Sequence, residues 1–169
     1  MNTTRFALVS VLALASLPMP AAAAINVDYD RSVDFSRFET FSWATGTAAN
    51  AIVQKRIVAA VERELEAAGL RKVEGNGDLR VSTHVSTDEE TRVDIDDYGY
   101  NSRWRGWGSP TTVQVRNVLV GMLVVDLVDG ESKQLVWRGV GKDTVGKSPE
   151  KNEKKINKAV KKMFKKYPR

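Results

Sequence analysis

Residues 121–141 read GMLVVDLVDGESKQLVWRGVG, and the fold turns on this stretch. Leu123, Val125 and Leu127 alternate with their neighbours at a period of two, the spacing of one face of a β-strand. Asp129-Gly130-Glu131-Ser132 is a polar, turn-forming interruption. Beyond it Leu135, Trp137, Gly139 and Gly141 repeat the same period, so the stretch predicts an antiparallel hairpin. It carries no legible chemistry of its own.

Upstream, the first strand of this hairpin lengthens. From Thr111 to Val128 the alternation never changes phase, with Val113, Val115, Leu119, Leu123, Val125 and Leu127 at odd positions. That is long against a modal strand of about five or six residues, and a bend near Asn117–Gly121 is expected. The odd positions are expected to face the helices. At even positions Thr112, Gln114 and Arg116 give way to Val118, Val120, Met122 and Val124, with Val136 and Val140 at the same parity in the return strand. An apolar patch on the face opposite the helices is therefore expected, and monomers rarely leave such patches bare. Its cover would be the aromatic loop around Tyr98, Tyr100, Trp104 and Trp107, a second copy of the chain, or another protein.

Working outward, Ile25–Asp30 and Phe38–Trp43 read as two strands. Asn50 caps a helix whose apolar stripe is Val53, Ile57, Ala60, Val61, Leu65 and Ala68, closed by Gly69 with Leu70 after it. Gly75-Asn76-Gly77 is a turn. Leu79–Thr87 alternates Leu79, Val81, Thr83 and Val85 against Arg80, Ser82, His84 and Ser86, the pattern of a sheet wetted on one side. Asp88–Pro110 reads as a long polar and aromatic loop. The return strand spans Lys133 to about Val145. Ser148-Pro149 opens the last helix, with Ile156, Ala159, Val160, Met163, Phe164 and Tyr167 on its apolar stripe. The order ββαβββα predicts a two-layer α+β domain: a largely antiparallel, five-stranded sheet with two amphipathic helices on one face.

Composition narrows the chemistry. One domain is the natural count for 169 residues. There is no cysteine and a single histidine, His84, which removes disulfides, thiol catalysis and His-rich metal sites. Residues 1–24 read as a signal peptide: Arg5, the apolar run Phe6–Leu17, Pro18-Met19-Pro20 and the small-residue site Ala22-Ala23-Ala24. Cleavage near Ala24 would leave a periplasmic or secreted domain, 25–169, with no lipid-anchor cysteine. Lys147–Arg169 holds ten basic and two acidic residues, whereas Ile25–Gly146 holds fifteen basic and nineteen acidic. The basic charge belongs to the last helix, whose polar face is Lys151, Lys154, Lys155, Lys158, Lys161, Lys162, Lys165 and Lys166. In an exported protein this points to an anionic lipid or lipopolysaccharide surface rather than nucleic acid.

Taken together, certain segments resemble a known bacterial envelope family, catalogued as domain of unknown function 4136. They are Tyr29-Asp30, Asp34–Trp43, Glu64-Leu65 through Gly69-Leu70, Gly77–Val81, Gly121–Asp129, Leu135–Gly139 and the Lys-rich helix to Tyr167-Pro168. The resemblance covers essentially the whole of 25–169. Many members look like lipoproteins of Gram-negative bacteria, a feature this chain departs from. The resemblance implies no established activity and no catalytic residues.

Motifs that promise chemistry weaken on inspection. Gly141–Ser148 matches the P-loop pattern letter for letter, but a P-loop needs a parallel sheet built largely downstream, and little chain follows. No nucleotide is expected. Asp94-Ile95-Asp96-Asp97-Tyr98-Gly99 resembles the start of a calcium loop, but Tyr98 and Arg105 stand where ligands belong. Asp126 and Arg138 share a face of the hairpin and are expected to pair across it. The expectation is a non-catalytic binding or assembly module with no cofactor, no metal and no catalytic residues. The alternatives are a peripheral binder of anionic surfaces through the Lys-rich helix and a carboxylate-dependent hydrolase using Asp94–Asp97.

Overall fold

A computed structural model describes residues 24–48, 50–96 and 112–168. Six strands form one mixed sheet: β1 (Ala24–Tyr29), β2 (Thr40–Gly46), β3 (Arg71–Lys72), β4 (Leu79–Asp96), β5 (Thr112–Asp129) and β6 (Leu135–Thr144). Their spatial order is β1-β6-β5-β4-β2-β3. Helices α1 (Ala51–Ala67) and α2 (Pro149–Phe164) pack on the same face of the sheet. The α+β class and both helices stand as expected. The sheet is six-stranded and mixed rather than five-stranded and largely antiparallel, because β2 runs parallel to both β3 and β4. Helix α1 makes the crossover that parallel neighbours require.

Both helices begin where the sequence places them, and α1 ends there too, whereas α2 stops at Phe164, short of the expected Tyr167-Pro168. The Asn50 side chain accepts from Val53 N–H at 2.9 Å, and the Ser148 hydroxyl from Lys151 N–H at 3.2 Å. Gly69 takes φ +96°, the left-handed conformation that suits glycine after a helix. Leu70 then folds back into the core at 4% exposure.

The core lies between sheet and helices. Leu79, Val81, Val125, Leu127, Trp137, Ile57, Val61, Leu65, Val160 and Met163 are essentially excluded from water. Helix α2 sits close because Gly139 and Gly141 present no side chain beneath it. A Cβ at Gly139 would come within 3.0 Å of the Met163 sulfur, and one at Gly141 within 2.6 Å of the Met163 methyl.

Three strand readings are corrected. First, β4 does not stop at Thr87. It runs to Asp96, paired residue for residue with β5 from Leu79↔Asp129 to Asp96↔Thr112. The first nine residues of the expected loop, Asp88–Asp96, are thus strand, and β5 keeps its pairing through Asn117–Gly121 without a break. Second, β6 carries a bulge: Trp137 faces Leu127 but Leu135 faces Val128, so one residue is extra. Leu135 thereby moves to the face opposite the helices, 44% exposed, and Val136 turns into the core at 2%. Third, the helices do not reach the far half of β5. Leu123, Val125 and Leu127 are buried beneath them, but Val113 and Val115, on the same face, are 55% and 64% exposed.

Candidate functional site

Because β6 stops at Thr144, opposite Val120, β5 continues past its neighbour with β4 alone beside it. On the other side β2 pairs no farther than Gly46↔Thr83. The pairs Glu89↔Leu119 to Asp96↔Thr112 therefore form a two-stranded arm, about 27 Å long at 3.4 Å per residue. On its helix-side face Leu119, Val115 and Val113 repeat along β5 with Val93 beside Val115, and all four are exposed. Pairing with β4 is continuous where the bend near Asn117–Gly121 is expected.

The even-numbered face of β5 lines up as the alternation requires, but it is not a bare patch. Val120 is buried at 3% exposure, Val118, Val124 and Val140 are half-buried, and Met122 is exposed. Val136 leaves that face for the core because of the bulge. Polar neighbours hem the column in: Ser86 faces Met122 from β4 and Lys142 faces it from β6. Farther along, Asp126 and Arg138 meet in a two-pronged ion pair, Nε to Oδ1 at 2.6 Å and Nη2 to Oδ2 at 2.8 Å. Hydrogen bonding to Asp126, then its charge, raises the Arg138 pKa further. This is the cross-strand pair the sequence suggests, with Arg138 exposed and lying over an Asp126 that is itself buried at 6% exposure. His84 is exposed on the same face.

Most of the Lys-rich face of α2 stands out in solvent as expected: Lys151, Lys154, Lys158, Lys161, Lys165 and Lys166 are exposed, and Lys162 is half-buried. Lys155 departs from the rest. Its ammonium donates to the Thr144 carbonyl at 2.7 Å, the Thr144 hydroxyl at 2.8 Å and Asp143 Oδ1 at 3.1 Å. It ties α2 to the end of β6 and is not available to a surface.

The segment resembling a P-loop is strand through Thr144, and β6 runs antiparallel to β5. Backbone N–H groups of a strand in a ladder do not wrap a phosphate. Asp94 and Asp96 fall at the end of β4. Asp97 and the aromatic residues Tyr98, Tyr100, Trp104 and Trp107 lie outside the described residues. Among the described residues no group of three or more acidic or His side chains is placed to hold a metal.

Several carboxylates with depressed pKa values serve as local turn anchors. Asp78 is lowered first by the hydrogen bond from Glu39 N–H, then by those involving Thr40. At Asp129 burial pushes the carboxyl up, but hydrogen bonds from Glu131 and Ser132 and the charge of Arg37 outweigh it, and the net shift is down. Asp30 and Asp34 are lowered by Ser32 and Ser36, two residues on.

A cavity of about 160 Å³ that the sequence does not suggest lies where the arm leaves the body. Val53 and Ile57 of α1, Ile156 and Ala159 of α2, and Val85 and Leu123 of the sheet supply apolar side chains to its wall. Gly121 and Thr87 mark its arm-ward end, and Asn152 and Lys155 stand at its rim.

Comparison with solved structures places this fold among known ones. A PDZ domain protein from Parabacteroides distasonis matches with a TM-score of 0.59 at 16% identity, covering 85% of this chain and 35% of that one. The chain thus spans about a third of that protein's length, and the likeness concerns the fold alone. The PelC dodecamer from Paraburkholderia phytofirmans gives a TM-score of 0.49 at 11% identity, covering 85% of this chain and 95% of that one. A minor lipoprotein from Acinetobacter baumannii gives 0.37 at 10%, covering 76% and 91%. No curated protein matches the sequence. One family model, described as Domain of unknown function (DUF4136), matches residues 25–169.

Proposed function

This chain belongs to the family described as Domain of unknown function (DUF4136), and we propose that it is an exported, non-catalytic binding or assembly module of the bacterial envelope. Its arm, formed by β4 and β5, is the part that engages the partner. The arm carries the reading. A two-stranded ribbon is marginal in water unless a third strand or a helix covers its apolar face. Here Val93, Val113 and Val115 are held out beyond the reach of both helices. Such a stripe gains stability when something is laid against it.

Export rests on the N-terminal sequence, with its basic start, short apolar run and small-residue site. Among the described residues no helix is long and apolar enough to cross a membrane. The absence of a catalytic role is supported by the way Asp30, Asp34, Asp78 and Asp129 are each engaged in a local turn or strand clamp.

The test is a photocrosslinking amino acid placed at position 115 in cells that export the protein. A discrete adduct at position 115, absent at the exposed α1 position 66, is the expected result. The same background at both positions would overturn the reading. A second reading, contact with an anionic membrane, is favoured by the six exposed lysines along α2. It predicts binding to phosphatidylglycerol vesicles that falls steeply with salt and is lost when Lys158, Lys161 and Lys165 become Gln.

A further inference from the structure

We propose that the cavity at the root of the arm binds a straight aliphatic chain, the acyl tail of a single-chain amphiphile, with the rest of the chain lying along the arm. This rests on the binding-module reading and names its ligand class. Three observations carry it.

The wall is hydrocarbon from three directions: Val53 and Ile57, Ile156 and Ala159, Val85 and Leu123. A dry cavity of about 150 Å³ takes a benzene ring, so one of about 160 Å³ accommodates a comparable run of carbons.

The polar groups at the rim are already engaged within the protein. Lys155 is held by Asp143 and Thr144. The Asn152 amide exchanges two hydrogen bonds with the Gly146 backbone, at 2.9 and 2.7 Å. These contacts leave the rim with little to recognise in a polar headgroup, so the site selects by chain.

The apolar surface does not end at the cavity. From Leu123 inside it, the same face of β5 continues through Gly121 at the mouth to Leu119, then past Asn117, whose amide oxygen accepts from the Thr91 hydroxyl at 3.1 Å, to Val115 and Val113 with Val93 alongside; Glu89 stands beside Leu119. That track is two strands wide, with strands ~4.8 Å apart. It suits a thin extended chain better than the broad face of a globular partner. Gly121 keeps the entrance open: a Cβ there would approach only the Val145 methyl, at 3.0 Å, and the Asp143 carbonyl, at 3.9 Å.

The test uses cis-parinaric acid, a fluorescent eighteen-carbon fatty acid, titrated into the purified exported protein. Saturable enhancement at one site per chain is expected. Gly121→Val puts a strand-compatible side chain in the entrance and should weaken binding at least tenfold without lowering the melting temperature by more than a few degrees. Ala159→Leu fills the cavity from the helix side and should act alike, which covers the case of one variant failing to fold. Displacement by saturated fatty acids should tighten by about fourfold per methylene while the cavity fills. Val115→Asp should weaken long chains and leave octanoate unchanged. Absence of saturable binding, or unchanged affinity in a folded Gly121→Val or Ala159→Leu protein, would overturn the proposal. Because Gly121→Val leaves the arm intact, an adduct persisting at position 115 in that variant would separate a failure at the cavity from a failure of the arm.

Discussion

The hydroxyl of Tyr167 lies in the core, its ring 5.4 Å from Phe35 and 6.3 Å from Trp137 between centroids, and it finds no hydrogen-bond partner among the described residues. Burial pushes its pKa up to about 12. The folded state thus holds its proton where the unfolded chain, near 10, has released it. The stability this represents is complete below pH 10 and is lost as the pH rises towards 12. In Tyr167→Phe, alkaline unfolding followed by circular dichroism should begin at higher pH. At pH 7 the change should be neutral or slightly stabilising, since it removes an unsatisfied group. One turn back, Phe164 stacks on Trp137 at 4.9 Å. Phe164→Ala should cost about 3–5 kcal/mol in urea unfolding. Lys158→Gln with Lys162→Gln should change little, being on the outer side of the same helix. That division between apolar and lysine faces was legible from spacing alone. Lys155 was not, because its place on the stripe says nothing of the Asp143 carboxylate that the end of β6 brings beneath it.

At the level of elements, the helices were read almost to the residue because their ends carry chemical marks: Asn50, Gly69, Ser148 and Pro149. Strands carry no such punctuation. β4 was read nine residues short because Asp88, Glu89 and Glu90 are poor strand formers. The corrective signal lay in β5, since a strand that long needs an equally long neighbour. β3 spans only Arg71–Lys72 and has no period to detect. The bulge at Val136 shifts parity within one strand, so Leu135 lands on the face opposite Trp137. Where α2 meets β6, the alternation of Trp137, Gly139 and Gly141 gives the strand's period and not the close approach of the helix. Gly139→Ala would drive a methyl to 2.6 Å from the Trp137 ring and 3.0 Å from the Met163 sulfur. A loss of about 1–3 kcal/mol is expected, seen as a lower urea midpoint with unchanged slope. Gly75→Asn, at a turn position with φ +88° and open space around it, should be mild by comparison.

Across the whole molecule, the body and the arm divide the sheet between stability and contact. Val115→Lys should leave the melting temperature of the purified protein within a degree or two, because the side chain is 64% exposed. Val125→Lys, ten residues along the same strand and face but wholly buried, should prevent folding. Expression and circular dichroism of the two variants would check this contrast directly. The pattern of β5 made both positions look alike, since alternation records which face a residue is on and not whether anything lies above it. The length of the helices decides the second question, and the cavity at the arm's root is where their cover runs out.

The pairing of β1 with β6 sets an order in time. Ile25 lies opposite Gly141, and Tyr29 opposite Trp137, so the first strand to be synthesised takes its place only against the last. The hairpin from β5 to β6 can close locally, and β4 is next to β5 in sequence, while β1 has to wait for a far longer loop to close. A chain delivered from its N-terminus therefore carries Ile25 and Val27 unsheltered until its final third has arrived. β1 is also an edge strand, held on one side only like the two-residue β3, so its amides should be among the earliest of the sheet's body to exchange with solvent. The edge that completes the fold is the edge at which it would begin to open.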